Sequence, residues 1–214
     1  MSKESEISRK PQIDAYPASM KPVSREIPHH VKKVFFAGAS GVGKSTVIGR
    51  LDVERVHVVP RFTTFPRRSD SLPWENIHLN PWEFDMLELD GTIEVSWNRD
   101  MGNGDVVKYG FPVRNDDDSR IAVYPTNSLF FDHMIHMPPG FLDGALIVGV
   151  FAPNIVRTIR LQQRSPDMPT HEREARLSDN PQSVVNLSHV VVNNYGSFEK
   201  CSSEDVMDFI ARIS

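Results

Sequence analysis

Val34-Phe35-Phe36-Ala37 followed by Gly38-Ala39-Ser40-Gly41-Val42-Gly43-Lys44-Ser45 is the stretch on which the reading of this 214-residue chain turns. The octet satisfies G-x-x-x-x-G-K-[ST] at every fixed position. It also lies where the pattern has mechanical meaning, between an apolar run of β-formers and a stretch able to open a helix. The run 34–37 stops at Gly38, as a fully buried strand does. Residues 38–43 then read as a loop and 44–51 as the start of a helix. Glycines let successive backbone N–H groups point into one concavity, and a helix start adds partial positive charge, so phosphates are held mainly by main chain. Gly38, Ala39, Ser40, Gly41, Val42, Gly43, Lys44, Ser45 and Thr46 are therefore expected to hold the phosphates of ATP. Lys44 is expected to bridge the β- and γ-phosphates, and Ser45 to place its hydroxyl on Mg²⁺. The bland reading is a glycine-rich turn that binds nothing; the intact spacing between strand and helix argues against it.

Outward from this loop, short apolar runs alternate with helical stretches. Strands are expected at 56–59, 92–97, 121–124, 145–151 and 190–192, and helices at 81–89, 153–163, 170–177 and 203–213. Residues 101–118, with three glycines and the run Asp116-Asp117-Asp118, read as surface loops. Strand–helix alternation implies βαβ units and an α/β fold with a mainly parallel sheet flanked by helices. Residues 1–30 carry Pro11, Pro17, Pro22 and Pro28 among polar residues without periodicity, which reads as a flexible tail dispensable for stability. The ordered domain is expected over 31–214.

Lys plus Arg number 24 against 28 Asp plus Glu, a formal charge of −4, so there is no general electrostatic footprint for nucleic acid or an anionic membrane. Any anion site must be local. Cys201 is alone, which excludes an internal disulfide and fits a reducing compartment. With no apolar leader at the N-terminus and no apolar run of membrane-spanning length, a cytoplasmic location is expected. His78, His133, His136 and His171 lack a compact metal-ligand spacing, so no zinc site is assigned.

Arg61, Arg67 and Arg68 fall within eight residues directly after the second strand. Guanidinium forks match phosphate oxygens bidentately, so this cluster suits a second anionic ligand; a solvated basic loop is the alternative. Glu75 is a candidate to position or deprotonate an acceptor hydroxyl, against an ordinary solvent-facing carboxylate. The order of these elements resembles the guanylate-kinase-like group of P-loop kinases: the loop at 38–46, Thr63-Thr64 with flanking arginines, Trp97 before Tyr109-Gly110, an Arg-rich segment, then Asn193-Asn194. Within that group the closer resemblance is to the ribose 1,5-bisphosphate phosphokinases, through Glu75-Asn76-Ile77-His78, Ser96-Trp97 and Asn193-Asn194-Tyr195-Gly196-Ser197.

The resemblance implies a P-loop kinase fold with a small acceptor-binding subdomain and an Arg-rich lid. It implies that Tyr109 hydrogen-bonds an acceptor phosphate, where packing is the alternative. It also places Arg157, Arg160, Arg164, Arg173 and Arg176 in the lid, with Arg160 and Arg164 acting on the transferring phosphoryl group; a basic helical face paired with Glu172 and Glu174 is the alternative. The chain departs from the guanylate kinases at several places, among them Tyr124-Pro125-Thr126 where an acidic residue is usual and an insertion around 101–107. Arg61 replaces a serine, no carboxylate stands near Val95 to read guanine, and Phe65 replaces an arginine, leaving Arg67 or Arg68 to substitute.

The function expected is ATP-dependent phosphoryl transfer to a small phosphorylated acceptor, a sugar phosphate such as ribose 1,5-bisphosphate or a nucleotide. A nucleoside monophosphate kinase and a nucleotide-binding switch or inert module are the alternatives, and the sequence leaves a homodimer open. Lys44→Ala is expected to retain the wild-type circular dichroism spectrum. Its ATP-dependent transfer, followed by ADP release, is expected to fall by about a hundredfold or more, as loss of a charge-stabilising donor does.

Overall fold

In the computed structural model, the strand that enters the glycine loop, β2 (Lys33–Ala37), is central in a six-stranded sheet. The structure describes residues 20–22, 28, 30–67, 71–101, 104–113, 118–128, 130, 133, 137–179, 181–194, 206 and 208–210. The parallel neighbours of β2 are β8 (Ile121–Pro125) and β9 (Ala145–Phe151); β3 (Val56–Val58) and β10 (Val190–Asn193) extend the parallel array outward. Val34 and Phe36 face one core with Val148 and Val192, where helical Val206, Phe209 and Ile210 also pack. Phe35 and Ala37 face the opposite core with Tyr124 and Ile147. This burial on both faces explains why β2 reads as an unbroken apolar run.

β1 (Met20–Pro22) pairs antiparallel with β10, Met20 opposite Val192 and Pro22 opposite Val190. The expectation of a flexible tail over 1–30 is corrected at these three residues. The open edge of β10 offers unpaired N–H and C=O groups to any extended segment, and an edge strand tolerates proline. Residues 1–19 and 23–27 lie outside the described residues.

A second sheet runs in the order β5 (Asn76–His78), β4 (Arg61–Thr63), β7 (Val106–Pro112) and β6 (Ile93–Asp100). Two expectations are corrected here. Arg61 begins a strand rather than a loop, and the loop expected over 101–118 contains β7. In β7, Val107, Tyr109 and Phe111 alternate inward, but Gly104 and the aspartate run on either side obscured that alternation in the sequence. The two sheets join through aromatic rings: Phe35 stacks on Tyr124 at 4.7 Å, and Phe111 meets Tyr124 edge-on at 5.0 Å and Trp97 at 5.3 Å.

The helices are α1 (Lys44–Ile48), α2 (Pro81–Leu89), α3 (Asn154–Arg164), α4 (Thr170–Leu177) and α5 (Pro181–Leu187). α1 ends at Gly49, shorter than expected. α2 starts at Pro81 behind a capping box in which Asn80 and Glu83 satisfy each other's backbone N–H. α5 was not anticipated from the sequence, and of the helix expected at 203–213 only 206 and 208–210 are described, as helix. No helix among the described residues is long and apolar enough to cross a membrane.

Removing residues 1–22 deletes the pairing of β1 with β10. The loss of a few edge hydrogen bonds is worth about 1–2 kcal/mol. Calorimetry of the truncated chain is expected to show Tm lowered by about 2–8 °C; an unchanged Tm would show that β1 contributes nothing.

Candidate functional site

The glycine loop is built as its sequence requires. Gly41 and Gly43 have φ of 82° and 90°, the left-handed region that residues with a Cβ rarely adopt. A Cβ on Gly43 would also collide with the side-chain amide of Asn194, which donates to the Val42 carbonyl at 2.7 Å. Ala39 and Val42 point into the core and Gly38 lies tightly against the Val150 carbonyl, so these three shape the turn through their backbone. Ser40, Gly41, Gly43, Lys44, Ser45 and Thr46 line a cleft of about 500 Å³. Lys44 Nζ folds back over its own loop, donating to the Gly38 carbonyl at 2.6 Å and the Ala39 carbonyl at 3.3 Å. Enclosure lowers the pKa of its ammonium to about 8; Glu75 opposes this shift, and Arg61 adds to it.

The opposite wall of the cleft comes from the second sheet. Arg61 lies with its guanidinium 4.7 Å from the centre of the Tyr109 ring and donates from Nε and Nη2 to Asn76 Oδ1 at 3.1 and 2.9 Å. Strand register dictates this, since β4 and β5 pair Arg61 with Asn76 and β4 and β7 pair Thr63 with Tyr109. Burial lowers the proton affinity of Arg61, while Tyr109 and Glu75 support its charge. Glu75 lines the same wall, and its Oε2 is buried without a hydrogen-bond partner. Tyr109 therefore both packs, stacked on Trp97 at 5.8 Å, and faces the cleft.

Arg160, Arg164 and Arg176 line the cleft from the helical side. Arg160 donates to the Val42 and Asn194 carbonyls, each at 3.0 Å. Arg176 is paired with Glu172 in its own helix, and its guanidinium lies 5.6 Å from the centre of the Phe65 ring. Arg67 is exposed and does not line the cleft, which corrects the expectation that it faces an acceptor; Arg68 lies outside the described residues. Arg157, grouped with the lid from its spacing, is fully buried instead, donating to the Ser40 carbonyl at 2.9 Å and the Arg176 carbonyl at 2.8 Å. Arg173 is occupied by the Pro166 and Met168 carbonyls and does not line the cleft.

Asp179, Arg99 and Thr126 line the cleft without having been expected as site residues. Asp179 accepts from the Ser40 amide at 3.3 Å and pairs with Arg99 at 3.2 Å, and both carboxylate and guanidinium line the cleft. Asp179 sits in the short connection between α4 and α5, and Arg99 near the end of β6, so no local pattern announces either. Thr126, following β8, also lines the cleft, and its hydroxyl is buried without a partner.

This donor set fits Mg²⁺ in one particular way. Among the described residues no three His, Cys, Asp or Glu side chains converge, so there is no all-protein cage. Ser45, the orphaned Thr126 hydroxyl and Glu75 are hard oxygen donors around one cleft, suited to a cation that keeps waters and arrives on phosphates.

No protein-family model matches the sequence, and no curated protein matches it. Among solved structures, a guanylate kinase from Anaplasma phagocytophilum is similar, with 16% sequence identity, a TM-score of 0.50, and coverage of 86% of this chain and 84% of that one. This chain has a guanylate-kinase-like fold. At this identity the similarity speaks for architecture.

Because the Lys44 ammonium has a pKa of about 8, its charge is lost as pH rises through that value. A polyphosphate stabilises the charged form, so its affinity is expected to be flat just below pH 8 and to fall by up to about tenfold per pH unit above it. Titration of ATP by fluorescence between about pH 7.5 and 9.5 checks this. Lys44→Arg, charged throughout that range, is expected to flatten the profile.

Proposed function

We propose that the chain is an ATP-dependent phosphotransferase whose acceptor is a small phosphorylated molecule, a sugar phosphate such as ribose 1,5-bisphosphate. The observation that carries this reading is that one cleft holds two separate cationic centres, Lys44 with the glycine loop and Arg61 on Tyr109, close enough for the Arg61 charge to be felt at Lys44. Two anion sites facing one another suit a polyphosphate donor and a phosphorylated acceptor.

Transfer on such a site is mainly positioning and electrostatics. The loop amides and Lys44 hold the polyphosphate, and Ser45 would hold Mg²⁺, which neutralises phosphate charge when bound. Arg61 holds the acceptor's own phosphate. An acceptor oxygen then attacks the γ-phosphorus, the bond to the β–γ bridging oxygen breaks and ADP leaves; where that oxygen is a hydroxyl, Glu75 takes its proton. Arg160, Arg164 and Arg176 balance the charge gathering on the transferring oxygens and exclude water that would hydrolyse ATP. In this reading the protein works in the cytoplasm, without nucleic acid or membrane partners.

The cleft disfavours guanine. Val95 is buried in the core, Ser96 is turned to Glu88, and Asp179 is occupied by Arg99 and the Ser40 amide. With Glu75 reserved for the acceptor's hydroxyls, guanine N–H donors left unpaired would cost about 1–3 kcal/mol each. ADP release is to be measured with ATP, Mg²⁺ and a panel of ribose 1,5-bisphosphate, ribose 5-phosphate and nucleoside monophosphates. A sugar phosphate is expected to react with kcat/KM at least about tenfold above that of GMP. Arg61→Ala is expected to lower kcat/KM for that acceptor by about 10–100-fold, the worth of a charge-assisted phosphate contact. Efficient GMP turnover would instead identify a nucleoside monophosphate kinase, and ATP binding without any reactive acceptor a nucleotide-binding module.

A further inference from the structure

A second hollow of about 50 Å³ adjoins the acceptor side of the cleft and shares Arg61, Phe65, Glu75 and Tyr109 with it; His78 lines only the smaller hollow. Parallel pairing of β4 with β5 sets His78 beside Thr63. The Thr63 hydroxyl accepts from the Phe65 amide at 3.0 Å and so fixes the turn whose carbonyl lies 2.7 Å from His78 Nδ1. A carbonyl only accepts, so Nδ1 carries the hydrogen, and in the neutral imidazole Nε2 is a bare lone pair. Among the described residues that Nε2 is buried without a partner, as is Glu75 Oε2. The hollow therefore presents two buried hydrogen-bond acceptors with nothing donating to them.

We propose that this hollow is a hydroxyl-reading subsite in which His78 Nε2 and Glu75 Oε2 accept hydrogen bonds from the acceptor's hydroxyl groups. The acceptor is then a polyhydroxylated phosphate ester, and His78 is a specificity-determining residue. The inference rests on the phosphotransferase reading above for calling this ligand an acceptor. Size and charge select the ligand class. At about 50 Å³ against about 500 Å³ for the adjoining cleft, the hollow suits a hydroxyl-bearing carbon rather than a purine ring. A phosphate group carries no donors at neutral pH and meets the Glu75 carboxylate, so it is directed to Arg61 at the boundary and the sugar hydroxyls to the hollow. Buried acceptors that gain partners only from the right ligand discriminate strongly against an analogue lacking the hydroxyl.

The test is calorimetric binding without ATP, using ribose 5-phosphate, tetrahydrofurfuryl phosphate (the same ring and phosphate without the three hydroxyls) and inorganic phosphate. The wild type is expected to prefer ribose 5-phosphate over tetrahydrofurfuryl phosphate by at least about tenfold. H78N keeps a donor near the position of Nδ1 but puts no acceptor at Nε2. It is expected to reduce the preference to about threefold or less while leaving the affinity for tetrahydrofurfuryl phosphate and inorganic phosphate unchanged. H78Q, whose carboxamide oxygen reaches towards the Nε2 position, is expected to restore most of the preference. Equal affinity of the wild type for the two esters would overturn the proposal and show that the hollow serves only buried water; so would a preference that survives in H78N. The wild-type comparison needs no variant to fold. ADP release measured on the same preparations separates the two readings. A hydroxyl preference without transfer leaves the subsite standing and removes the phosphotransferase, whereas transfer without a hydroxyl preference does the reverse.

Discussion

A single guanidinium with no exposed surface, that of Arg157, sits where the glycine loop, α3 and the end of α4 meet. Its nitrogens donate to the Ser40 carbonyl in the loop, the Asn154 side chain at the start of its own helix, the Arg176 carbonyl at the end of α4, and the Asp179 carbonyl just beyond. A buried charge is costly unless its donors are met, so these segments can take up only arrangements that bring their carbonyls to Arg157. Burial lowers its proton affinity and Asp179 counters that, the pattern of a buried cation held by its neighbours. Arg160, three residues further along α3, inherits this registration and reaches the Val42 and Asn194 carbonyls. Arg164, at the last turn of the same helix, is exposed and lines the cleft from its mouth.

Packing fixes the other wall. The aromatic cluster that joins the sheets runs from Phe35 on the loop-bearing strand through Tyr124 and Phe111 to Trp97, and ends at Tyr109. Each ring is held by offset or edge-on contact with the next, so the second sheet cannot slide without unpacking the core. Arg61 rests on the last ring of this series, with Asn76 clamping its fork. The separation of Arg61 from the glycine loop is thereby set by buried aromatic packing rather than by loops.

The result is a concentrated positive field in a chain whose formal charge is −4. Lys44, Arg61, Arg160, Arg164 and Arg176 converge on one cleft with Glu75, Asp179 and Arg99 among them. Their mutual repulsion is visible in Lys44, whose proton is loosened by enclosure and by Arg61 and Arg157 together. An arrangement of this kind is relieved by anions, and its energetic cost when empty is compensated by the packed scaffold around it.

The glycine loop was legible from the sequence alone because its shape depends on contiguous residues. Glycines at fixed spacing, a lysine and a serine between a strand and a helix fix backbone shape whatever surrounds them. The parallel sheet was legible for a similar reason: strands buried on both faces must be apolar throughout, as Val34–Ala37 and Ala145–Phe151 are. The second sheet was not, since β4 and β5 are three residues each and β7 lies between a glycine-bearing turn and an aspartate run, where local composition points to loops. Nor could helical spacing separate Arg157, which the core consumes, from Arg160 and Arg164, which face the cleft. Only tertiary structure decides which side of α3 is covered. Asp179, Arg99 and Thr126 owe their positions to connections and strand register linking segments distant in sequence, so their places in the cleft carry no signature in the order of the residues; His78 belongs to the run Glu75–His78, but only strand register sets it beside Thr63.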